Sequence, residues 1–522
     1  MASFSPSRLR LLLLIGTLCA ALAITQVGCG RKKPDAAEDQ AQQQAPKLSV
    51  LVVDDPQIAA AIRRAAGQWR THTGGELTVQ EATSDKLGQL EQFQADAVIC
   101  AAAHIGTLAA EKKILPLSKQ WLSQSSGHWA GVFDLLRIRE VAWGEQIYAV
   151  PFGSPVLVCY YRADLLEKFG RKPPRTWAEY QQLAGFFADR KNLGDVAPSE
   201  DQPWSGTLEP LAPGWAGLML LARAAPYIKH RNNFSTLFDI EMMEPLIGRQ
   251  PWIRALEELV AATKTASHNT LEMDPAAVRA AFWQGQCAMA ISWPTAAHAT
   301  ASHAVSAPSP GAAAAPDQTT QPDAAQKIAV QFAEAQKIAV GFVELPGSPE
   351  VFDVGSNRWM ARAEDEDTHI PLLSVAGRVG VVSAASPQPE AAYRLLLWLS
   401  DEANSAQICA VSPYTTLFRH GHLQAPQLWV ERGVSPHQAA QYAATVKTAL
   451  MRQQWVDGLR IPGRTEYLGA LDQAIHKAVR GEVASLEAMA QTMASWREIT
   501  RRLGSKQQRL AYLRSLGLDE LQ

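Results

Sequence analysis

Two pairs of adjacent carboxylates are the first residues here whose types could do chemistry. Asp54-Asp55 directly follows the apolar run Leu48–Val53, and Glu257-Glu258 lies inside the amphipathic stretch Pro251–Lys264. Paired carboxylates serve glycoside hydrolysis, but only when they flank the substrate, which neighbours in sequence do not. There is no GxSxG, HExxH or phosphate-loop motif, and no GxGxxG before a helix, so nucleophile-elbow, zinc-protease and dinucleotide chemistry have no anchor. The twelve histidines are scattered, none at a ligand spacing with a third polar partner, and the six cysteines form no CxxC. The expectation is a protein that is not an enzyme and holds no metal or cofactor. Fifteen Trp against ten Tyr is the unusual count. An indole face packs well on the apolar C–H face of a pyranose, although plain core is the competing assignment for each Trp. A binding site needs only such platforms, a few carboxylates or amides for hydroxyl groups, and a hinge whose closure shifts with ligand.

Composition narrows the partners. The chain has 522 residues, enough for two or three core-bearing domains, and 47% of them are hydrophobic. A net charge of -2, with no basic stretch interleaved with aromatics, argues against nucleic acid. Arg8 and Arg10 precede the apolar run Leu11–Ile24, which is short for a membrane span and fits an export leader. The run leads to Val27-Gly28-Cys29, which resembles a bacterial lipobox with Cys29 as the lipidated residue; Gln26 stands where that pattern has Leu, Val or Ile. Ordinary cleavage and an uncleaved anchor are the other readings. The polar, Gln/Ala-rich segment up to Pro46 reads as a flexible tether. Cys100, Cys159, Cys287 and Cys409 sit in apolar settings and read as buried free thiols, though export would permit disulfides.

The candidate residues need elements to position them. Leu48–Val53 reads as a strand, Asp55-Pro56 as the start of a helix that stops at Gly74-Gly75, Leu77–Gln80 as a strand, Leu87–Phe93 as helical and Asp96–Ala101 as a strand. That alternation means a parallel sheet, and ligands collect at the carboxyl ends of such strands, where Asp54, Asp55 and Ala101–His104 fall. His104 reads first as a surface histidine. Gly106–Leu117 reads as a helix. Further on, Thr176-Trp177-Ala178-Glu179 is a capping box opening a helix over Trp177–Asp189, Leu193–Pro213 is loop-like, and Gly214–Ala225 is an apolar helix. Asp274-Pro275 caps a helix over Ala276–Trp283, and Gln286–Pro294 is a strand. Phe352–Met360 reads as a loop holding Trp359, Arg378–Ala384 as a strand and Glu390–Leu399 as a helix. Leu468–Val479, Leu486–Leu503 and Lys506–Leu516 read as helices.

Three of these segments share wording as well as pattern: Tyr148–Glu179 (YAVPF…VLVCYYRADLLEKFG…PPRTWAE), Ala281–Trp293 (AFWQGQCAMAISW) and Arg378–Ser400 with its EAAYRLLLWLS. Together they resemble the sugar-binding type of extracytoplasmic solute-binding protein of ABC importers. The resemblance implies an α/β, periplasmic-binding-protein-like type II fold, two lobes joined by a hinge, with a helical C-terminal extension. It implies a small ligand, a mono- or oligosaccharide, delivered to ABC permease subunits by a monomeric, exported, membrane-anchored receptor. It ranks Trp293 first among ligand contacts, as the aromatic ending a strand that returns toward the first lobe. Trp204 and Trp215 flank the start of a helix that would face the cleft, and Trp359 is a further aromatic candidate. Ser412-Pro413-Tyr414-Thr415 resembles a short family loop that often touches ligand, with Thr415 in place of an expected Arg, and this nominates Tyr414 beside Asp54 and Asp55. The implied division is leader 1–28, tether 29–46, first lobe 47–150, second lobe 151–293, low-complexity insert 294–335, returning strands and crossing 336–400, and helical part 401–522. Two copies of a short repeat, AQKIAVQF at Ala325–Phe332 and AQKIAVGF at Ala335–Phe342, follow the insert; the second leads into Leu345-Pro346-Gly347 and is expected to be the strand. The same fold in sister families takes polyamines, metal ions or oxyanions, and a sensor or protein-interaction role on this scaffold is the other class.

Overall fold

The computed structural model describes residues 45–231, 233–297 and 338–519. The expected leader, Cys29, nearly all of the tether, most of the insert and the first repeat copy lie outside the described residues.

The first sheet grows from β1 (Lys47–Val53), buried from Val50 to Val53. Helix α1 (Pro56–Thr73) starts where the Asp55 carboxylate accepts the Ile58 N–H at 3.1 Å, with Pro56 pre-set for the first turn, and ends at Gly74 in the left-handed region. Strands β2 (Glu76–Ala82) and β3 (Ala97–Ala101) pair parallel to β1 on either side. The chain returns through β4 (Ala149–Pro151) and crosses into a second lobe at β5 (Val158–Arg162). Helix α2 (Trp177–Ala188) carries both hydrogen bonds of the Thr176/Glu179 capping box. Then come β6 (Ser205–Leu208), α3 (Ala216–Ile228), α4 (Gln250–Thr263), α5 (Pro275–Trp283) and β7 (Cys287–Ser292), the last buried at every position. Strand β8 (Val340–Glu344) begins inside the second repeat copy and pairs antiparallel with β5. A hairpin, β9 (Glu350–Asp353) and β10 (Arg358–Ala361), precedes the return to the first lobe in β11 (Arg378–Val382) and α6 (Pro389–Leu399). The third crossing leads to α7 (Pro436–Leu450) on β8. Helices α8 (Arg464–Val479), α9 (Ser485–Leu503) and α10 (Ser505–Ser515) finish the described chain.

The strand orders are β2-β1-β3-β11-β4 and β8-β5-β7-β6. In the first, β11 runs antiparallel to both neighbours, so its first residue, Arg378, lies opposite Ala101 at the carboxyl end of β3. Cys100, Cys159, Cys287 and Cys409 are buried free thiols, and burial pushes the Cys100 thiol up to about 12. Among the described residues no helix is long and apolar enough to cross a membrane.

Several elements differ from expectation. The segment Leu87–Phe93 is not a helix; a short helix, Ser84–Leu87, precedes it and the chain then turns. The helix expected over Gly106–Leu117 is Ile105–Ala110. Lys112 adopts a left-handed φ of 55°, after which Ile114 pairs with Ser383, because an edge hydrogen bond to the sheet replaces another helical turn. The loop Leu193–Pro213 contains β6, paired parallel with β7, and Phe352–Met360 is largely the β9–β10 hairpin. Helix α7 stood in no expectation, although Ser435-Pro436-His437-Gln438 forms a full capping box.

Candidate functional site

The carboxyl ends of β1 and β3 meet the end of β7 through the 412–416 loop. Asp54 adopts φ 52°, and both of its carboxylate oxygens lie 3.2 Å from the Ser84 N–H, which ties the end of β1 to the chain beyond β2. Asp55 is 1% exposed. Its carboxylate accepts Arg378 Nε at 3.0 Å and Ser412 Oγ at 2.5 Å as well as the α1 N–H, so one buried charge joins the first sheet, the helix and the crossing loop. Arg378 spends its other N–H groups on the carbonyls of Asp54 and Ala376 and lies 4.3 Å over the Tyr414 ring. Tyr414 donates its backbone N–H to Ser412 Oγ at 3.1 Å, and burial raises its hydroxyl pKa.

From the second lobe, Trp293 donates its indole N–H to the Pro413 carbonyl at 2.9 Å, and Thr295 Oγ1 donates to the Ser412 carbonyl at 3.2 Å. Trp293 is 1% exposed. Half-buried Trp215, preceding α3, lies against it with ring centroids 5.6 Å apart and a 43° tilt, and the Arg279 guanidinium lies 5.6 Å from its ring. Trp293 is packed behind Trp215, which keeps part of its surface exposed. Arg279 also bonds Ser292 Oγ and faces Glu431 at 3.6 Å; burial pushes the Glu431 carboxyl up to about 7, with Arg279 opposing.

Asp54, Asp55, Tyr414, Trp215 and Trp293 are thus brought around one junction between the lobes. Trp204 and Trp359 are not. Trp204 precedes β6, whose Ser205 pairs with Cys287 at the opposite end of β7 from Trp293, roughly 20 Å away at strand rise, and its indole N–H bonds the Phe187 carbonyl. Trp359 packs edge-on against Phe352 and Tyr227. Tyr227 sits in the last turn of α3, roughly 18 Å along the helix from Trp215. Both displacements follow from the strands that replaced the expected loops.

Three basic groups at the junction were absent from the sequence reading: Arg378, Arg279 and Arg464. The available signal was an arginine opening an otherwise apolar strand in Arg378-Val379-Gly380-Val381-Val382. His104 is not a plain surface residue. Burial, then the positive charges of Arg464 and Arg378, push its pKa down to about 4, so its imidazole is neutral at pH 7.

Two α/β lobes joined by crossings and meeting at strand ends are the type II periplasmic-binding fold. A family model described as bacterial extracellular solute-binding protein matches residues 55–406, and the chain belongs to that family. An ABC transporter solute-binding protein from Agrobacterium radiobacter in complex with ribitol is similar in structure at a TM-score of 0.58 and 15% identity, over 87% of this chain and 98% of its own. The maltose-bound MalE3 of T. maritima is similar at 0.56 and 15%, over 87% and 99%. A solute-binding protein from Agrobacterium vitis with bound D-mannitol is similar at 0.57 and 15%, over 88% and 99%.

Proposed function

We propose that this chain is an extracytoplasmic receptor that takes a mono- or oligosaccharide between its lobes and presents it to the membrane subunits of an ABC importer. The observation that carries this reading is the half-buried Trp215 ring seated on buried Trp293, one hydrogen-bonded loop away from Asp55. An apolar ring face beside carboxylates and donors is what a sugar needs. The polyol and maltose ligands of the structural neighbours support the same class. In this reading the segment 1–28 is an export leader, Cys29 the lipid attachment, and 29–46 the tether. Fractionating cells that express the chain or its Cys29→Ser variant tests the anchor: the variant is expected to leave the membrane fraction.

The ligand test is tryptophan fluorescence of the full chain, purified in mild detergent and titrated with sugars, polyols, polyamines and divalent metal ions. A saturable shift with a saccharide, weakened at least tenfold by Trp215→Ala, is the expected outcome. Trp293→Phe is the second variant, because truncating a fully buried indole to Ala costs about 3–5 kcal/mol of stability and would confound the reading. A response to a polyamine or metal ion alone overturns the carbohydrate reading. Silence across the panel makes a protein partner the leading alternative.

A further inference from the structure

Arg464 opens α8 at the boundary of the two lobes. Its approach is fixed on the first lobe: the Arg460 carbonyl packs so closely on Gly106 that a Cβ there would lie 2.2 Å from it, and Arg460 also donates to the Glu140 carbonyl at 2.8 Å. Gly106 is two residues beyond His104. The helix itself belongs to the second lobe, since Asp472, two turns on, accepts the N–H groups of Gly214 and Gly217, both at 2.6 Å, at the start of α3. Those two glycines bracket Trp215. Arg464 therefore lies on the chain that joins the packing on the His104 loop of one lobe to the helix holding the Trp215 turn of the other, and its charge reaches His104.

The charged groups of the junction are unequal in how they are satisfied. Asp54 accepts from Ser84, Asp55 from Arg378 and Ser412, Asp274 from the Ala277 N–H, and Asp472 from the two glycines. Arg378 is occupied by Asp55 and two carbonyls. Arg464 makes no side-chain hydrogen bond among the described residues, and its Nε is shielded from solvent with no hydrogen-bond partner; Asp472 acts on it only through its charge. A guanidinium offers five N–H donors in a planar fork that matches a carboxylate. His104 likewise has no hydrogen-bond partner among the described residues and can donate one N–H as a neutral ring.

We infer that the solute carries a carboxylate, making it a sugar acid rather than a neutral sugar, with the acid group held by Arg464 and His104 while the ring lies on Trp215. This rests on the carbohydrate reading and names the substrate class within it. The carboxylate meets a guanidinium that has no hydrogen-bond partner among the described residues, and on which Asp472, itself satisfied by the two glycines, is the one carboxylate that acts.

The test is isothermal titration of the full chain at pH 7 with matched series: glucose, glucuronate and glucose 6-phosphate, galactose and galacturonate, and the neutral and acidic oligomers. The same titrations are run on Arg464→Gln and Arg464→Lys, with thermal melts to confirm folding. The expected result is an acid bound about 10- to 100-fold more tightly than its neutral parent, the range of one charge-assisted hydrogen-bonded contact. Arg464→Gln should bring the acid down to the neutral parent while leaving the neutral sugar within about twofold, and Arg464→Lys should fall between. Equal affinity for acid and neutral sugar overturns the inference and leaves the carbohydrate reading standing. So does an acid preference that survives Arg464→Gln. A phosphorylated sugar preferred over the uronate overturns the carboxylate in favour of a phosphate. No binding by any saccharide overturns both.

Discussion

Asp55 carries its charge where water does not reach, and its partners come from three parts of the chain. Both side chains of the Asp55–Arg378 pair are at most 5% exposed. Removing one member of such a pair strands the other, at a cost of about 3–5 kcal/mol. Asp55→Asn keeps the shape and an oxygen for the Ile58 N–H, so chemical denaturation of this variant is expected to show that loss chiefly through Arg378. Replacing both residues, Asp55→Asn with Arg378→Met, should cost less than the two single changes added together. Additive losses would mean that the pair does not act as a unit. Asp54 and Asp55 were legible because they follow an apolar strand and precede a proline. Arg378 was not, since its partner lies 323 positions away and nothing local marks the pairing.

At the scale of elements, the buried Glu140 pins two crossings to the first lobe. It ends a single wide helical turn, Leu136–Glu140, and is 1% exposed. Its carboxyl accepts Ser154 Oγ at 2.5 Å from the crossing after β4 and the Ser374 N–H at 3.1 Å from the crossing before β11, where Ser374 holds φ 59°. Burial raises its pKa to about 7; Ser154, Arg460 and the Ser374 N–H oppose the rise and Asp457 adds to it. A carboxyl whose folded pKa lies above its ordinary value binds a proton more tightly when folded. Its stabilisation is complete below pH 4.5 and is lost as pH climbs through about 7. The rise corresponds to on the order of 3 kcal/mol. Buried His104, His128 and His422, held below their ordinary value, add a slope of the opposite sign up to about pH 6.5, so the reading is a difference: melts between pH 5 and pH 8 are expected to show the wild type losing stability relative to Glu140→Gln as pH rises. A difference that stays constant across that range would place the titration elsewhere. These elements were unevenly readable. Strands such as β7 and capped helices such as α1 and α2 announce themselves through apolar runs and hydrogen-bonding caps. The β6 strand and the β9–β10 hairpin do not, because their pairing is set by neighbours distant in sequence, and α7 has a cap but only a shallow apolar stripe.

At the scale of the whole molecule, α10 is tied to both lobes within a few residues. Helices α8 and α9 lie on the second lobe, where Trp496 and Tyr467 pack on Phe238, His476 Nε2 pairs with the Leu211 carbonyl at 2.7 Å, and Arg497 pairs with Glu244. The chain then doubles back. The Tyr512 hydroxyl bonds Ser235 Oγ at 2.7 Å and accepts the Leu237 N–H at 3.1 Å in the second lobe. Two residues later the Arg514 carbonyl accepts the Gly144 N–H at 2.8 Å, and the Ser515 carbonyl accepts Arg460 at 3.0 Å, in the first lobe. Any hinge motion that separates the lobes must stretch this strap or turn about it. If it favours the closed arrangement, loosening one end shifts the population toward the open form and lowers apparent affinity by the fraction lost. Gly144→Ala is the sharpest way to loosen it: φ is 61° there, and a Cβ would lie 2.8 Å from the Asp519 carboxylate. The expected outcome is a larger radius of gyration for the unliganded protein in small-angle scattering, a severalfold weaker ligand affinity, and a stability loss of about 1 kcal/mol from the strained backbone. A stability loss with scattering and affinity unchanged would make α10 a cover on the second lobe with no hold on the hinge.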